Sequence, residues 1–411
     1  MSSRPHRGTV LVSGAGVAGP LLAHWLDRAG FAVTLVERAP GRREEGQNVD
    51  VRGAAREVLR RTGVEQAALA AHTTEEGTAF VDEHGRRRAV LPAAQGESDG
   101  ATAELEILRG QLSGLLLDLP AQRTEHVFGD HVTDLAEHAD GVSVTLASGE
   151  RREVDLVVVA EGVGSRTRGL VFPGDHLRPL GMYCAYVTIP RTPDDDRTWR
   201  WYNALEGRSV HLRPDNTGTT RALLNFLSPT RGLADLDAGA QTTVLRRVFR
   251  GAGWETDRVL AALDDTPFHF EDLAQVHLDR WSSGRVVLLG DAAHCASPIS
   301  GLGTTLGLTG AYVLAGELAT ALARGRSHTD AFAAYERRVR PFATRAQALP
   351  PGTPALANPR SRRHRRALWA GARVLTSRPA RALGGLTGRF THPPADAFTV
   401  PDYPDLPGRA A

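Results

Sequence analysis

Lysine is absent from this sequence of 411 residues, and all 49 of its basic residues are arginine. A Schiff-base lysine, a lysine general acid and the lysine of a Walker A phosphate-binding loop are therefore excluded. Cysteine is nearly absent too: Cys184 and Cys295 lie far apart and outside any CxxC motif. They predict neither a disulfide framework nor a metal site, and they favour the reducing cytoplasm as the location.

The chain also lacks a strong net charge. Its 49 arginines nearly balance 47 acidic residues, so nothing in the charge requires a nucleic acid or a membrane as partner. No apolar run approaches the roughly 18 residues that span a bilayer, and glycines interrupt the apolar N-terminal stretch that a signal peptide would need. The basic segment 360–381 has only a modest apolar stripe, which favours packing on its own protein.

A dinucleotide-binding pattern opens the chain. Residues 9–13 predict a strand, Gly14, Gly16 and Gly19 follow in a GxGxxG pattern that leads into a helix, and a second strand ends at Glu37. The glycines permit a tight turn and the close approach of a pyrophosphate, and the acid suits a ribose diol. Glu37 argues against a 2′-phosphate on that ribose, although Arg38 keeps the alternative open.

A second motif lies at residues 284–303, GRVVLLGDAAHCASPISGLG. Residues 286–289 predict a buried strand, and Asp291 at its carboxyl end can accept hydrogen bonds from sugar-like hydroxyls. Gly301, Leu302 and Gly303 then precede a long apolar segment, so their N–H groups would stand at a helix N-terminus that favours negative charge. The motif predicts a cofactor with a polyol chain and an electron-rich ring.

Two further regions have alternative interpretations. Arg109 follows a short apolar run, where it could contact a phosphate or a flavin edge or simply be a solvated residue at a helix start. Residues 183–226 predict successive strands of an antiparallel sheet rich in aromatic side chains. These form either an ordinary β-core or the wall of a pocket for a flat apolar substrate, with candidate residues Tyr186, Trp201, Asn225 and Phe226.

Three motifs occur in an order that resembles the FAD-dependent aromatic-hydroxylase monooxygenases. They are the GxGxxG motif with its acid, the segment AEGVGSRTR at residues 160–168, and the GDAAHCASP…GLG motif. These monooxygenases form the p-hydroxybenzoate hydroxylase superfamily, which includes tetracycline-inactivating and polyketide-tailoring enzymes. The resemblance covers about residues 8–345. It implies an α/β fold with a Rossmann-type FAD-binding domain (residues 1–75, 101–178 and 271–345), an antiparallel β-sheet substrate domain (76–100 and 179–270), and a C-terminal helix and extended tail (346–411).

The resemblance also implies roles for individual residues. Those expected to bind FAD are Gly14, Gly16 and Gly19 at the pyrophosphate, Glu37 with Arg38 at the adenosine ribose, Arg109 at the cofactor, Asp291 at the ribityl or pyrophosphate side, and Pro298, Gly301, Leu302 and Gly303 along the isoalloxazine. Glu161 replaces the family's usual aspartate, and Thr305 and Gly310 stand where an asparagine and an aspartate are frequent. These departures predict altered local flavin contacts and an altered substrate. His294 is interpreted as a packing residue.

The function implied is that of an NAD(P)H-using monooxygenase, which transfers one oxygen atom from a flavin 4a-hydroperoxide to an aromatic or polycyclic, polyketide-like molecule. Because the chain has a single dinucleotide fingerprint, NAD(P)H would bind only transiently. Molecular oxygen is the second substrate, and a monomer or homodimer is expected. The alternatives are Baeyer–Villiger oxidation of a polycyclic ketone and non-redox use of FAD as a cyclisation or binding scaffold. A flavin halogenase is disfavoured because lysine and the WxWxIP segment are missing.

Overall fold

A computed structural model describes residues 7–43, 46–92, 105–375 and 398–406. The strands in these residues are β1 (Thr9–Ser13), β2 (Ala32–Glu37), β3 (Asn48–Val51), β4 (Gly77–Val81), β5 (Arg87–Pro92), β6 (Leu105–Leu108), β7 (Thr124–Phe128), β8 (Val132–Glu137), β9 (Val142–Leu146), β10 (Arg151–Val154), β11 (Leu156–Val159), β12 (Leu177–Pro190), β13 (Thr198–Asn203), β14 (Arg208–Pro214), β15 (Thr219–Leu227), β16 (Phe268–Val276), β17 (Ser282–Ser283) and β18 (Val286–Leu288).

The helices of the same residues are α1 (Ala18–Arg28), α2 (Ala54–Thr62), α3 (Glu65–Ala70), α4 (Arg109–Leu117), α5 (Arg166–Val171), α6 (Ala238–Phe249), α7 (Thr256–Ala262), α8 (Asp291–His294), α9 (Gly303–Ala323), α10 (His328–Gln347), α11 (Thr353–Ala357) and α12 (Arg362–Leu375). The turns Leu233–Asp235 and Pro298–Ser300 are single turns of 3₁₀-helix.

A parallel sheet carries both predicted cofactor motifs. Its strand order in the described residues is β17-β18-β11-β1-β2-β7, and β1 pairs in parallel with β2 and β11, as β11 does with β18. The run of valines in β11 is fully buried, as expected for a parallel strand covered on both faces. Because parallel strands end at one edge, the segments that follow β1, β11 and β18 meet there.

A second, larger sheet of seven strands follows a different pattern. Its strand order is β16-β12-β15-β14-β13-β4-β5 in the described part of the chain. Every neighbouring pair is antiparallel except β4 with β13, which are parallel. One face of this sheet packs on α6 and α7 through Leu245, Phe249 and Val259. The α/β fold class is confirmed, while the domain boundaries stay a prediction.

Two expectations from the sequence differ from the structure. Residues 46–53, which predict a loop before a short helix, contain β3, because that segment pairs with the distant β6. Helix α9 has the length and hydropathy of a membrane-spanning segment, so the expectation that no apolar run is long enough is wrong. However, 83% of the apolar window of α9 is buried inside the protein, where α9 packs against α1, α2 and α10.

The described tail residues, 398–406, pack against α9 and its neighbours. Tyr403 is 6% exposed, and its hydroxyl donates to Glu317 Oε1 at 2.7 Å. Arg61 in α2 donates to Pro401 O at 2.8 Å, and Phe398 stacks on Phe342 of α10. Of the predicted C-terminal helix and extended tail, residues 376–397 and 407–411 lie outside the described residues.

The contact between α9 and the tail gives a first prediction. A Cβ atom at Gly316 would lie 2.2 Å from the Tyr403 ring, so we expect Gly316→Ala to lower the free energy of unfolding by about 1–3 kcal/mol. Gly307 lies in the same helix, and its added Cβ would meet Ala18 at an ordinary 3.6 Å. Gly307→Ala is the matched control and should be neutral or stabilising, because alanine favours helix. Urea denaturation checks both, and equal stability of the two variants would contradict the tail contact.

Candidate active site

Two glycines of the N-terminal motif are required by close backbone contact. Gly14 has φ of +108°, and a Cβ there would lie 2.5 Å from Ala160 O, while a Cβ at Gly19 would lie 1.9 Å from Gly14 O. Both distances exclude any side chain. The start of α1 is therefore packed directly against the ends of β1 and β11, which places the N-terminus of α1 at the edge where the motifs meet.

Gly16 faces a cation. Among the described residues other than its chain neighbours, the one atom within 4 Å of a Cβ added at Gly16 is Arg109 Nη2, at 3.4 Å. Ser113, four residues after Arg109 and so on the same face of α4, donates to Ala15 O at 3.0 Å and to Gly16 O at 2.8 Å. No side chain of the described residues caps the N-terminus of α1. The loop thus offers a helix N-terminus and a guanidinium to an anion.

Glu37 is oriented by the same loop. Its Oε2 accepts from Ala15 N at 2.8 Å, and its Oε1 accepts from Ala39 N at 3.0 Å and from Arg43 at 2.7 Å. Burial alone would raise the pKa of Glu37, but these hydrogen bonds hold the pKa below its usual value. An ionised carboxylate oxygen has a second lone pair, so Oε2 can still accept from a ribose hydroxyl. Arg38, the next residue, is exposed.

Asp291 lies at the opposite end of this edge, at the start of α8. Its Oδ1 is 3.6 Å from the position that a Cβ of Gly303 would occupy, so the carboxylate adjoins the N-terminus of α9. Burial raises the pKa of Asp291, and the charge of Arg109 opposes that rise. Arg109 therefore acts electrostatically on Asp291 while it faces Gly16. The structure brings the two predicted motifs together around one arginine.

The segment Pro298–Ser300 and the following residues form the entrance to α9. Pro298 is exposed and Leu302 is 6% exposed. Gly301 has φ of +66°, and its added Cβ would lie 3.9 Å from Asp50 Oδ2 of β3. No side chain among the described residues caps α9. The N–H groups at the start of a helix of 21 residues are thus available to a group that carries negative charge.

These features fit FAD. A Cβ at Gly16 would occupy the space in front of Arg109, so glycine keeps this space open. The N–H groups at the start of α1 and the Arg109 guanidinium can therefore bind a pyrophosphate there. Glu37 and Asp291 are carboxylates placed at the two ends of the site, where the ribose and ribityl hydroxyls of FAD require acceptors. The uncapped N-terminus of α9 suits an electron-rich ring.

Comparison with known proteins agrees with this geometry. Residues 7–349 match the protein family described as the FAD binding domain. The chain belongs to this family. It is 36% identical over 365 residues to the flavin-dependent monooxygenase eupH of Phoma sp, with 82% of this chain and 84% of eupH covered. It is 35% identical over 357 residues to a flavin-dependent monooxygenase of an unknown prokaryotic organism, with 84% and 89% covered.

Among solved structures, the tetracycline destructase Tet(55) is similar at a TM-score of 0.78 and 30% identity, with 97% of this chain and 99% of that chain covered. The protein is therefore an FAD-dependent monooxygenase of the p-hydroxybenzoate hydroxylase type. The family and the cofactor predicted from the sequence are confirmed.

The middle motif has a structural role in this monooxygenase. Glu161 Oε1 accepts from the hydroxyls of Ser13 and Thr167, both at 2.6 Å, and its Oε2 accepts from Ser165 Oγ at 2.7 Å. The longer carboxylate thus ties the end of β1 to the start of α5. Arg168 is buried and donates to Ala292 O at 3.3 Å, which links α5 to α8.

Thr305 and Gly310, the other two residues that differ from the family pattern, also pack against other parts of the protein. Thr305 is fully buried, and its hydroxyl accepts from Arg52 N at 3.2 Å, which joins α9 to the segment before α2. A Cβ at Gly310 would meet Leu289 at 3.2 Å, so glycine allows α9 to pack closely on the end of β18. The effect of these two residues on flavin contacts stays a prediction.

The face of the second sheet opposite α6 and α7 adjoins the segment that leads into α9. Ile299 packs there against Met182, Cys184 and Leu273, and we call this side the Ile299 face. Strand register places two rows of residues on it: Glu271, Cys184, Asn225, Ser209 and Asn203 in one, and His269, Tyr186, Leu223, His211, Trp201 and Phe80 in the other. The predicted substrate residues Tyr186, Trp201 and Asn225 thus share one face.

Phe226 does not belong to that face. It is 3% exposed and packs with Tyr183, Phe249 and Phe270 in the core under α6 and α7. The prediction that Phe226 lines the pocket is wrong, because successive residues of a strand point to opposite faces and its neighbour Asn225 occupies the Ile299 face.

Several polar residues of the site were not predicted. Arg213 pairs with the buried Glu75 at 3.1 Å and with Glu106, and its guanidinium lies 4.1 Å from the ring centre of Trp199. Ser209 and His211 precede Arg213 at alternate positions of β14. That alternation of polar residues in a strand was the available signal, since it marks one face as polar.

His294 is a packing residue. It is 1% exposed and lies against Trp281, with ring centres 4.5 Å apart. Neither of its ring nitrogens has a hydrogen-bond partner in the described residues, and burial lowers the pKa of His294 to about 4. His294 therefore stays neutral, and its contacts are those of a core side chain.

The role of Arg109 can be tested by cofactor affinity. We expect Arg109→Gln to raise the Kd for FAD by about 10–100-fold, because a charge-assisted contact with the pyrophosphate is lost. Exposed Arg151 in β10 provides the control Arg151→Gln, which should leave the Kd unchanged. Titration of the apoprotein with FAD, followed by flavin fluorescence, checks the prediction. An unchanged Kd in the Arg109 variant would show that Arg109 does not face the cofactor.

The burial of His294 predicts a pH dependence of stability. The pKa of His294 falls from 6.5 to about 4 on folding, so above pH 6.5 the group is neutral in both states. As the pH falls from 6.5 towards 4, the unfolded chain gains a proton that the native protein does not, and this group removes up to about 3 kcal/mol from the free energy of unfolding.

We therefore expect His294→Leu to lose about 2–3 kcal/mol less stability than the wild type between pH 7 and pH 4.5. The control is His364→Leu, since His364 is exposed in α12. Urea denaturation at the two pH values measures the difference. Parallel losses in all three proteins would contradict the neutral, buried state of His294.

Proposed function

We propose that this monooxygenase uses NAD(P)H and molecular oxygen to insert one oxygen atom into an aromatic or polycyclic small molecule. The observation that carries the proposal is the contact of Ile299, at the entrance of α9, with the second sheet. That contact sets the cofactor end of the parallel sheet against a face that carries Tyr186 and Trp201. FAD, once reduced by the nicotinamide, supplies the oxygen activation.

The protein's own residues bind and orient the cofactor and the substrate, and they shield both from water. The N-terminus of α9 stabilises negative charge on the ring end of the cofactor, and Arg109 and Asp291 hold its chain. The apolar and aromatic side chains of the Ile299 face, among them Tyr186, Leu223 and Trp201, exclude water from the reacting groups. Such a face suits a flat substrate whose ring stacks on aromatic side chains.

The substrate class follows from this surface and from the relatives. We propose a polycyclic, polyketide-like molecule in secondary metabolism, bound by Tyr186, Trp201 and Asn225. The name of Tet(55) gives tetracycline as what that enzyme destroys, and its similarity supports a fused-ring substrate here. We further propose that the parallel sheet belongs to an FAD-binding domain and the second sheet to a substrate domain.

NAD(P)H binding is proposed to be transient, because the sequence holds a single dinucleotide fingerprint and FAD occupies it. A cytoplasmic monomer or homodimer completes the proposal. If the nicotinamide must meet a flavin that is otherwise covered, bound substrate is expected to gate the reduction.

The experiment uses the purified FAD-loaded protein, with NADPH or NADH, a panel of polycyclic phenols and ketones, and labelled molecular oxygen. We expect substrate to accelerate bleaching of the flavin, and the product to contain one labelled oxygen atom in a new hydroxyl group. A ring-expanded ester from the ketones would instead identify Baeyer–Villiger chemistry. Absence of both bleaching and label would contradict a monooxygenase reaction on these substrate classes.

A matched pair of variants tests the location of the substrate. Trp201→Ala alters the Ile299 face, whereas Trp254→Ala alters the opposite face, where Trp254 packs near Tyr202. Only the first should weaken the acceleration of flavin reduction by substrate. An equal effect of the two variants would place the substrate elsewhere.

A further inference from the structure

A hydrogen-bonded group of buried residues lies on the Ile299 face. Ser209, His211 and Asn225 are 0%, 4% and 3% exposed, and Asn358, which follows α11, is 1% exposed. Ser209 Oγ lies 2.7 Å from Asn358 Oδ1 and 2.9 Å from His211 Nε2. Asn225 Nδ2 lies 3.4 Å from the same hydroxyl. One serine hydroxyl therefore joins three polar side chains.

The orientation of the Asn358 amide is fixed from outside this group. Asn358 Nδ2 donates to Pro354 O at 3.0 Å, and a carbonyl oxygen can only accept. The other atom of the amide, facing Ser209, is therefore the oxygen. Because that oxygen also can only accept, the single proton of the Ser209 hydroxyl lies on the line to Asn358.

The position of the serine proton determines the tautomer of His211. Ser209 Oγ has given its proton to the contact with Asn358, so it accepts from His211 Nε2 across 2.9 Å, the shorter of the two polar contacts of Nε2. The other contact is Asn225 Nδ2 at 3.3 Å, which donates to the same Ser209 Oγ, so the two nitrogens are donors that converge on one oxygen. In a neutral imidazole with a proton on Nε2, Nδ1 carries the lone pair. Burial lowers the pKa of His211 to about 3, and the charge of Arg213 acts in the same direction, so the ring is neutral at ordinary pH.

Nδ1 of His211 has no hydrogen-bond partner within the described residues, and it is buried. A buried acceptor left unpaired is costly, and native proteins rarely keep one without a role. The imidazole is covered by Trp201, with ring centres 4.2 Å apart. The Nε1–H of Trp201 also lacks a partner in the described part of the chain, so packing alone holds the indole over His211.

From this arrangement we propose that His211 Nδ1 accepts a hydrogen bond from a hydroxyl group on the aromatic ring of the substrate, after the Trp201 indole shifts aside. The proposal rests on the proposed function and narrows its substrate class to hydroxyarenes. Trp201 and Phe80, whose ring centres lie 5.3 Å apart, supply the aromatic surface next to the acceptor. An O–H donor on a flat ring satisfies both features of the site. Acceptance of its proton in a hydrogen bond also raises the electron density of the ring.

The test measures binding to the oxidised FAD-loaded protein, so it needs no turnover. The probes are 2-naphthol and 2-methoxynaphthalene, which share a ring system but differ in the O–H donor, and binding is followed by the change in the visible spectrum of the flavin. We expect the wild type to bind 2-naphthol about 10-fold more tightly than the ether, which is the effect of one buried hydrogen bond.

Two variants distinguish the roles of the two ring nitrogens of His211. His211→Gln keeps a donor at the Nε2 position for Ser209 but removes the Nδ1 acceptor, so the preference for 2-naphthol should fall to about 1-fold when that hydrogen bond is lost. His211→Asn places an amide oxygen near the Nδ1 position and should keep the preference. A merely structural role would give the same result in both variants. FAD content and circular dichroism show that each variant is folded.

Three outcomes would overturn the proposal: no preference in the wild type, a preference retained by His211→Gln, or no binding of either probe. Each of them leaves the proposed oxygen insertion standing if labelled oxygen enters another substrate. Conversely, a preference that depends on Nδ1 without any flavin reduction would support this site and contradict the proposed reaction.

Discussion

The contact between the backbones of Gly14 and Gly19 is the constraint on which the rest of the site depends. A side chain at Gly19 would overlap Gly14 O, so α1 can start immediately against the ends of β1 and β11 only with glycine there. The next residue outward, Ala18, then lies within van der Waals distance of the positions that a Cβ of Gly290 or of Gly307 would occupy, both at 3.6 Å. The starts of α1 and α8 and the first turns of α9 therefore converge on the side chain of Ala18, which fixes the spacing between the two predicted cofactor motifs.

Near these backbone contacts, one cation, Arg109, lies close to two anionic groups, the Asp291 carboxylate and the predicted pyrophosphate. Arg109 faces Gly16 and also lowers the pKa of Asp291 against the effect of burial. A guanidinium keeps its charge at any ordinary pH and presents a planar set of donors, which suits a lysine-free chain that must bind a pyrophosphate. Glu161 and Arg168 contribute differently, because their hydrogen bonds to Ser13, Thr167 and Ala292 join β1, α5 and α8. The first pair lies at the predicted cofactor site, whereas the second pair joins the elements that surround this site.

The parts of the fold that the sequence predicted are those set by local pattern. The βαβ unit and the strand before Asp291 are encoded in contiguous residues, whereas the pairing of β3 with β6 joins residues 48–51 to 105–108 and has no local signal. Asn225 and Phe226 were both predicted to line the pocket, but adjacent strand residues cannot share a face. The tautomer of His211 depends on Asn358, 149 residues beyond Ser209, and such a contact exists only after the chain has folded.

Helix α9 connects the cofactor end to the end of the chain. It is a single element of 21 residues, about 30 Å long at the usual rise of a helix, and its first turn forms the wall beside Asp291. Further along, Gly316 has no side chain, and the ring of Tyr403 fills the space that a Cβ would need. Glu317, next to it, accepts from Tyr403 and from Arg338 of α10. Because α9 is one continuous helix, the tail packs on the same element whose first turn lies beside Asp291. Residues 398–406 therefore share a hydrophobic core with the helix that begins at the predicted cofactor site, although they lie far from the cofactor motifs in the sequence.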